Sequence, residues 1–529
     1  MTVRRIRTAA ATAAILTGVS ACSAPGSSTG SGAGADSVVI GVASEPDTLS
    51  PLLGYGKDGN SKIFDGLLAR DAGLELRPAL AKALPEVAAD GLTYTYTLRQ
   101  GVKFSDGEPL TSADVVFTYD KVLDAKTNNT YRSELDAIED VRADGDDKVV
   151  FTLKYPYAPF AGRTVLPIVP EHVAGEQDPN TGSFHTEPIG TGPYLLTSWS
   201  RGEKLTFEAN PGYWGGAPEV KKVTMAIVKD DDVRATRLRS GDLDGAVLPP
   251  RLAATFRNDE SRKTYDAKTY DFRAVALPQA NEVTGDRAVR QALDAAVDRQ
   301  AMVAEILDGA GRPAYGPLPV DDPWFARGIQ RGQDLAEARR ILDRAGWRSS
   351  SEGGIRAKDG RRASFTLLYP SGDKVRQDHA LAYASDAKKA GIEVKVESAT
   401  WEVIEPRMRT DAVLAGFGSS GDPDYGLYTL LHSSLAGDGF NNMARYDDPA
   451  VDEALDTGRR TSDEATRKAA YDGLQRELVK DPGYTFLTHI DHVYVLADRW
   501  QALATQVEPH EHGFSSGPWW NLQAWRPKK

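Results

Sequence analysis

The chain has 529 residues, a formal net charge of −12 and a single cysteine, Cys22. Its acidity argues against a nucleic-acid partner and against electrostatic adsorption to anionic lipid. One cysteine cannot form a disulfide within the chain, which excludes a disulfide-stabilised scaffold. The length allows more than one domain.

The first 21 residues have the pattern of a signal peptide. Three arginines precede an apolar stretch, residues 9–19, that is too short to span a bilayer. Small residues then lead into Cys22, and this arrangement resembles a bacterial lipobox, whose cysteine becomes the lipidated first residue. The alternative is an ordinary signal peptide with an incidental cysteine, and the export route, Sec or twin-arginine, stays open.

Residues 22–36 are rich in Gly, Ser and Ala, which predicts a flexible tether. No later stretch has 18 uninterrupted apolar residues. We therefore expect an extracytoplasmic protein that the lipid on Cys22 holds at the outer face of the cell membrane.

The predicted elements begin with strands. Residues 38–43 and 148–153 are predicted strands, and residues 94–98 alternate apolar and polar side chains as in a half-buried strand. A turn at residues 105–107 then leads to a helix, which Thr111 or Ser112 can cap and whose first turn carries Asp114.

Helices alternate with strands in the second half of the chain, which predicts β-α-β units and a partly parallel sheet. The predicted helices cover residues 232–243, 286–307 as one long helix, 334–345, 375–390, and two helices within 447–479. The predicted strands cover residues 273–277, 364–368, 392–396 and 484–496.

Several separated motifs resemble one known family. They are residues 45–51 (E-P-D-T-L-S-P), 98–117 (L-R-Q-G-V-K-F-S-D-G-E-P-L-T-S-A-D-V-V-F), 190–194 (G-T-G-P-Y) and 289–299 (V-R-Q-A-L-D-A-A-V-D-R). Together they are similar to the family 5 extracytoplasmic solute-binding proteins of ABC importers, which bind peptides or nickel chelates. The resemblance covers about residues 38–525.

The resemblance implies an α/β, two-lobed periplasmic-binding-protein fold of type II, with mixed sheets and an interlobe cleft. The first lobe is expected at residues 37–69, 190–273 and 493–529, with an inserted subdomain at 70–189, and the second lobe at 274–492. The strand at 273–277 and the segment 484–496 are expected to cross between the lobes.

No motif in the sequence favours catalysis, and we expect neither enzyme activity nor a cofactor. Residues 416–421 match G-x-G-x-x-G, but Asp422, Pro423 and Asp424 follow at once, and these acids would repel a phosphate. Walker and H-E-x-x-H motifs do not occur.

Relatives that bind dipeptides or oligopeptides carry, four positions before the proline of this loop, an Asp that pairs with the ligand's α-amino group. Ser419 stands there, and a serine can accept a hydrogen bond but supplies no charge. Asp422 or Asp424 could substitute for the missing acid, or the ligand lacks a free amine. Nickel-binding relatives place a His where Asp424 stands and an Arg where Leu166 stands, so nickel is not favoured.

Aromatic residues complete the candidate ligand site. Trp401 stands where relatives have an aromatic that faces the cleft, Tyr55 follows the loop at residues 45–51, and Tyr425 flanks the Asp-Pro pair. Flat rings of this kind suit a clamp on a small solute, although each ring could equally belong to the core.

Two histidine pairs are candidate metal ligands. His489 and His492 are three apart on a predicted strand and should point to opposite faces, so they should not share an ion. His510 and His512 could form a chelating loop, but a polar surface loop is the expected role, because neither pair has the closed ligand set of a structural zinc site.

The sequence thus predicts a monomeric, lipid-anchored substrate-binding protein that captures peptides or peptide-like solutes. By resemblance, hinge closure would trap the solute and deliver it to ABC permease subunits with a cytosolic ATPase. Two alternatives stay open: a nickel- or metal-chelate-binding receptor of the same family, and a signalling lipoprotein that presents its ligand to a sensor.

Overall fold

The structure is a computed structural model that describes residues 34–129, 131–419, 421–510 and 515–528. The predicted signal peptide, most of the predicted tether, Cys22 and His512 lie outside the described residues.

Two mixed β-sheets organise the described chain. The first has seven strands, in the spatial order Arg262–Ala267, His492–Ala497, Gly245–Leu248, Ser37–Val42, Lys222–Ile227, Lys204–Ala209 and Tyr194–Ser200. The second has six, in the order Gly311–Pro313, Tyr484–Ile490, Phe272–Ala276, Ala412–Phe417, Ser364–Pro370 and Glu393–Ala399. We call the parts built on the seven-stranded and the six-stranded sheet the first and the second lobe.

Smaller sheets complete the strands. A four-stranded sheet has the order Glu86–Val87, Thr93–Thr97, Lys148–Leu153 and Ile138–Ala143. The two-stranded sheets pair Leu68–Arg70 with Leu76–Pro78, Ala357–Lys358 with Arg361–Arg362, and Trp500–Gln501 with Arg526–Pro527.

The described helices are mostly short. The α-helices are Ser112–Leu123, Phe160–Arg163, Glu171–Ala174, Asp231–Ser240, Pro250–Ala254, Arg287–Ala296, Arg299–Glu305, Leu335–Arg344, Lys374–Ala390, Trp401–Arg407, Asp424–Leu431, Pro449–Arg460 and Glu464–Lys480. The 3-10 helices are Pro51–Leu53, Arg132–Leu135, Ser183–His185, Ser433–Leu435, Gly517–Trp519 and Leu522–Ala524. Within the described residues, none of these helices has the length and apolarity needed to cross a membrane.

The strands are rich in apolar residues because their side chains are buried. One continuous cluster joins Ile40 of the seven-stranded sheet to Phe151 of the four-stranded sheet. The six-stranded sheet is covered on both faces: Ala274 and Ala276 pack in one cluster, and Val275 and Leu277 in the other.

The predicted helix over residues 286–307 is wrong, because two helices occupy this stretch. Arg287–Ala296 ends at Val297, whose ψ of 130° is extended, and Asp298 caps the next helix by accepting a hydrogen bond from the Ala301 amide. The Asp298 amide itself donates to Asp386 Oδ2 at 2.9 Å. In a continuous helix the Asp298 amide would donate to a backbone carbonyl of the same helix. Here it donates to the side chain of Asp386, which belongs to another helix.

Other local predictions are confirmed. Thr111 and Asp114 form a capping box at the start of Ser112–Leu123, and Gly391, with φ of 92°, ends Lys374–Ala390. The strands Ser364–Pro370 and Glu393–Ala399, which flank that helix, are parallel, as expected of a β-α-β unit.

Two segments cross between the sheets side by side. One joins Arg262–Ala267 to Phe272–Ala276, and the other joins Tyr484–Ile490 to His492–Ala497 with Asp491 alone between them. Thr269 Oγ1 donates to the Ile490 carbonyl at 2.5 Å, and the Ile490 amide donates to the Asp271 carbonyl at 2.8 Å. The exact boundaries of the lobes and of the inserted subdomain stay a prediction.

This connection orients the second lobe. The strand Tyr484–Ile490 runs in the same direction as Ala412–Phe417 and Ser364–Pro370, and its carboxyl end leads straight into the first lobe. The carboxyl ends of these strands therefore lie on the side of the first lobe, where ligands of open α/β sheets bind.

Candidate functional site

A cavity of about 720 Å³ lies on the first lobe. Its wall comes from residues 44–49 and 53–62, which follow the first strand, and from the C-terminal segment through Gln506, Pro509 and His510. Leu205, Phe207 and Met225 of the seven-stranded sheet contribute apolar side chains. The volume and this mixture of apolar and polar lining suit a small-molecule site.

Of the six predicted ligand-binding residues, Tyr55 alone belongs to the described lining of this cavity. Its ring meets Phe64 edge-on, with 6.5 Å between the centroids. Burial raises the pKa of Tyr55 to about 12, against the lowering effect of a hydrogen bond with Ser61. Tyr55 therefore stays a neutral hydroxyl at physiological pH.

Some charged groups at the cavity have clear partners. Lys57 Nζ lies 2.6 Å from Glu134 Oε1, and Glu134 also contacts the Arg163 guanidinium. Burial raises the pKa of Glu134, but the charges of Lys57 and Arg163 outweigh it, so the pKa lies below its usual value. Glu45 accepts hydrogen bonds from Trp199 Nε1 and the Gly202 amide, both at 2.9 Å.

The predicted glycine-rich loop of the second lobe reaches this cavity. The His510 amide donates to the Gly418 carbonyl at 3.0 Å. Gly421 has a φ of 95°, which favours a glycine, and a Cβ there would lie 2.8 Å from Arg70 Nη1. Ser419 lies between these two contacts and is half-buried. His510 and Arg70 both line the cavity, which brings the loop to its edge.

Asp422 and Asp424 are engaged by arginines of the second lobe. Asp422 Oδ1 accepts from Arg467 Nη2 at 2.5 Å, and burial raises the Asp422 pKa although Arg467 opposes the rise. Asp424 is fully buried, and Arg459 donates to it from Nε at 2.9 Å and from Nη2 at 3.1 Å. Two parallel hydrogen bonds of this kind make the pair specific.

Asp424 and Tyr425 also connect the second lobe to the inserted segment, residues 70–189. Tyr157 Oη donates to Asp424 Oδ2 at 2.7 Å, and Tyr425 Oη donates to the Pro159 carbonyl at 2.5 Å. The Arg163 guanidinium stacks on the Tyr425 ring, 3.9 Å from its centroid. We call these contacts of Asp424 and Tyr425 the interlobe contact.

Trp401 begins the helix Trp401–Arg407 at the carboxyl edge of the six-stranded sheet. Its ring packs edge-on against Phe440, with centroids 5.2 Å apart, and the Arg376 guanidinium lies 6.0 Å from it. Trp401 is half-buried and does not belong to the described lining of the 720 Å³ cavity. The structure thus places Tyr55 in the cavity wall and the loop of Ser419 against His510 and Arg70 of that wall, and it leaves Trp401 apart.

The histidines meet acids at the crossing segments. His492 Nδ1 lies 2.6 Å from Glu508 Oε2, and His492 Nε2 lies 3.3 Å from Asp271 Oδ2. His510 Nδ1 reaches the other oxygen of Asp271 at 2.8 Å. His489 is buried elsewhere, against the Pro317 carbonyl. The two histidines are apart, but they lie on two strands of different sheets and not on the single strand that was predicted.

In the described part of the chain, no group of three or more His, Cys, Asp or Glu side chains is arranged to hold a metal ion.

Sequence reasoning did not find Lys57, Arg70 or Gln506 at the cavity. Their partners are distant in sequence: Asn60 Nδ2 donates to Gln506 Oε1 at 2.5 Å across 446 positions. The turn-rich stretch at residues 54–60 was the one local signal of a functional loop.

Similarity to known proteins agrees with this architecture. The chain is 75% identical over 505 residues to Protein XP55 of Streptomyces lividans, covering 95% of this chain and 93% of that protein. The structure of NikZ from Campylobacter jejuni in complex with Ni(L-His) has a TM-score of 0.85 and 29% identity, covering 93% of this chain and 99% of NikZ. The oligopeptide-binding protein AppA of Bacillus subtilis, in complex with a nonapeptide, has a TM-score of 0.81 and 28% identity, with the same coverage. These neighbours confirm the predicted two-lobed α/β fold.

The family match identifies the class of protein. Residues 75–438 match the bacterial extracellular solute-binding proteins, family 5 Middle, over more than half of the chain. Proteins of this class bind solutes for ABC transporters outside the cytoplasm and catalyse no reaction, as the sequence predicted. The chain therefore belongs to the family 5 bacterial extracellular solute-binding proteins.

Proposed function

We propose that this protein captures a peptide or peptide-like solute in the 720 Å³ cavity and delivers it to the permease of an ABC importer. The observation that carries the proposal is the position of the cavity: the first lobe and the inserted segment line it, and Gly418 and Gly421 of the second lobe lie against the lining residues His510 and Arg70. A solute held there would contact both lobes, and it would therefore favour their closure.

Tyr55 and Ser419 are our proposed ligand contacts at the cavity. Trp401 stands at the edge of the six-stranded sheet that faces the first lobe, so closure would bring it toward the solute. In this proposal three residues of the predicted site have a structural role and do not contact the ligand: Asp422, Asp424 and Tyr425. Arginines of the second lobe bind the two acids, and the inserted segment binds Tyr425.

A lipid on Cys22 completes the proposal, with the protein acting as a monomer at the outer face of the membrane. Mass spectrometry of the N-terminal peptide of the natively expressed protein tests the anchor. We expect an acylated Cys22 and release of the Cys22→Ser variant into the medium. An unmodified Cys22 in a membrane-bound protein would contradict it.

The experiment that tests the function is mass spectrometry of the solute that co-purifies with the natively expressed protein. It is followed by titration of the stripped protein with synthetic peptides. We expect peptides in the eluate and saturable binding that Tyr55→Ala weakens. A stripped protein that binds no peptide, with no peptide in the eluate, would refute the proposal.

A metal-chelate ligand is the second candidate, because His510 lines the cavity. Elemental analysis of the native protein separates the two: this candidate expects a bound metal that His510→Ala removes. Peptide in the eluate without stoichiometric metal excludes it.

A further inference from the structure

Arg70 is a cavity residue whose charge has no acidic partner among the described residues. It ends the strand Leu68–Arg70 and lines the 720 Å³ cavity. Two neighbouring cations, Lys57 and Arg163, differ from it because both pair with Glu134, and Lys62 donates to the Trp520 carbonyl at 3.0 Å. Glu45, an acid of the same wall, is already engaged by Trp199 and the Gly202 amide.

Neutral groups hold the Arg70 guanidinium in place. Nη1 donates to the Leu74 carbonyl at 3.3 Å, and Nη2 donates to the Gly162 carbonyl at 3.2 Å. The guanidinium carbon lies 5.6 Å from the centroid of the Tyr425 ring. A guanidinium has five N–H donors, so donors are left after these bonds are made. The group is oriented in advance, and its charge is not neutralised.

Arg70 also lies where the inserted segment meets the second lobe. The backbone of Gly421, from the second-lobe loop, comes so close that a Cβ there would stand 2.8 Å from Arg70 Nη1. Tyr425, which stacks near the guanidinium, belongs to the same lobe as Gly421. A group of the ligand that binds Arg70 would therefore sit beside the part of the second lobe that moves on closure.

We propose that Arg70 binds an anionic group of the solute, a carboxylate in the first instance, and makes the cavity selective for ligands that carry one. This inference rests on the proposed function and adds the charge of the ligand to it. An arginine with donors to spare suits a carboxylate, which can accept two parallel N–H bonds. A charge-assisted contact of this kind favours an acid over its neutral amide by about tenfold or more.

Competition between paired peptides tests the proposal. Short synthetic peptides with a free C-terminal carboxylate compete with the same sequences as C-terminal amides, and native mass spectrometry of the stripped mature protein reads the bound forms. We expect the wild type to favour the acids by about tenfold or more. Arg70→Gln should reduce that preference below about twofold, because the acids lose more affinity than the amides.

Two further variants control the test. Arg70→Lys keeps the charge but loses the planar fork, so we expect an intermediate preference, and this variant carries the test if Arg70→Gln does not fold. Arg77→Gln removes an exposed arginine that pairs with Asp71 at 2.6 Å, and it should keep the full preference.

Each result is decisive. Equal binding of acids and amides by the wild type overturns the inference and leaves the proposed function standing. An unchanged preference in Arg70→Gln or, if that variant does not fold, in Arg70→Lys also overturns it. A wild type that binds neither form refutes the proposed function, and the inference falls with it.

Discussion

Asp424 and Arg459 form a buried ion pair whose two members depend on each other. Asp424 is fully buried, and Arg459 is 4% exposed. Removal of one partner leaves the other charge buried without compensation, which costs about 3 to 5 kcal/mol. We therefore expect Asp424→Asn to lower the free energy of unfolding by about that amount, as measured by urea denaturation.

Asp378→Asn is the matched control for this prediction. Asp378 pairs with Lys374 on the surface of the helix Lys374–Ala390, where the side chains are 33% and 67% exposed. Exposed pairs of this type contribute less than about 1 kcal/mol. If the two variants lose the same small amount of stability, Asp424 does not hold Arg459 in the folded protein.

At the scale of elements, the crossing segments carry a charge cluster that should make stability depend on pH. Burial lowers the pKa of His492, but the charges of Glu508 and Asp271 outweigh it and raise the pKa to about 10. An unfolded histidine titrates near 6.5. The contribution of the charged His492 to the free energy of unfolding is therefore complete below pH 6.5. It is lost as the pH rises from there to about 10.

We expect the free energy of unfolding to fall in that window by up to about 1.4 kcal/mol per pH unit, the effect of one proton. His492→Gln should flatten the slope, and His172→Gln, at a histidine that pairs with Asp106 near the surface, should keep it. Urea denaturation at pH 6, 7, 8 and 9 measures the slope. An equal slope in wild type and His492→Gln would show that the histidine does not stay charged in the fold.

The boundaries of helices and strands could be predicted from the sequence wherever neighbouring residues determine them. The glycine at position 391 ends a helix because the left-handed backbone there, with φ of 92°, costs a glycine little. The break at Val297 was missed because apolar side chains continue at helical spacing on both sides of it, while the partner of the Asp298 amide, Asp386, is 88 positions away.

The candidate site was harder to predict, because pairings between distant residues define it. The family resemblance drew attention to the loop after Ala412–Phe417, and in the structure the His510 amide donates to the Gly418 carbonyl of that loop. No sequence pattern could show that Asp424 meets Tyr157 across 267 positions, or that Lys57 meets Glu134. Because the sequence does not reveal those partners, it cannot distinguish a buried carboxylate with a structural role from a carboxylate that binds the ligand.

For the whole molecule, the interlobe contact should set the balance between open and closed forms. The lobes are joined by two crossing segments, and the contact of Tyr157 with Asp424 ties the second lobe to the inserted segment at a separate place. If hinge motion separates these groups, the hydrogen bond exists in the closed form alone. Its loss then shifts the equilibrium toward the open form and lowers the apparent affinity by the same free energy.

Tyr157→Phe removes the hydroxyl that donates to Asp424 and keeps the ring, and Tyr157 does not belong to the described lining of the cavity. We expect a larger radius of gyration by solution scattering and an affinity for peptides that is about 5- to 30-fold lower, since such a bond contributes about 1 to 2 kcal/mol. Tyr155→Phe is the matched control, because its hydroxyl donates to Asp136 at the surface, 3.1 Å away.

The two measurements in Tyr157→Phe have to agree, because both report the same equilibrium. A lower affinity with an unchanged radius of gyration would mean that Tyr157 acts on the cavity through local packing. No change in either, with the control also unchanged, would mean that the interlobe contact persists in the open form, so that the lobes hinge elsewhere. A joint change would identify the inserted segment as the surface against which the second lobe closes.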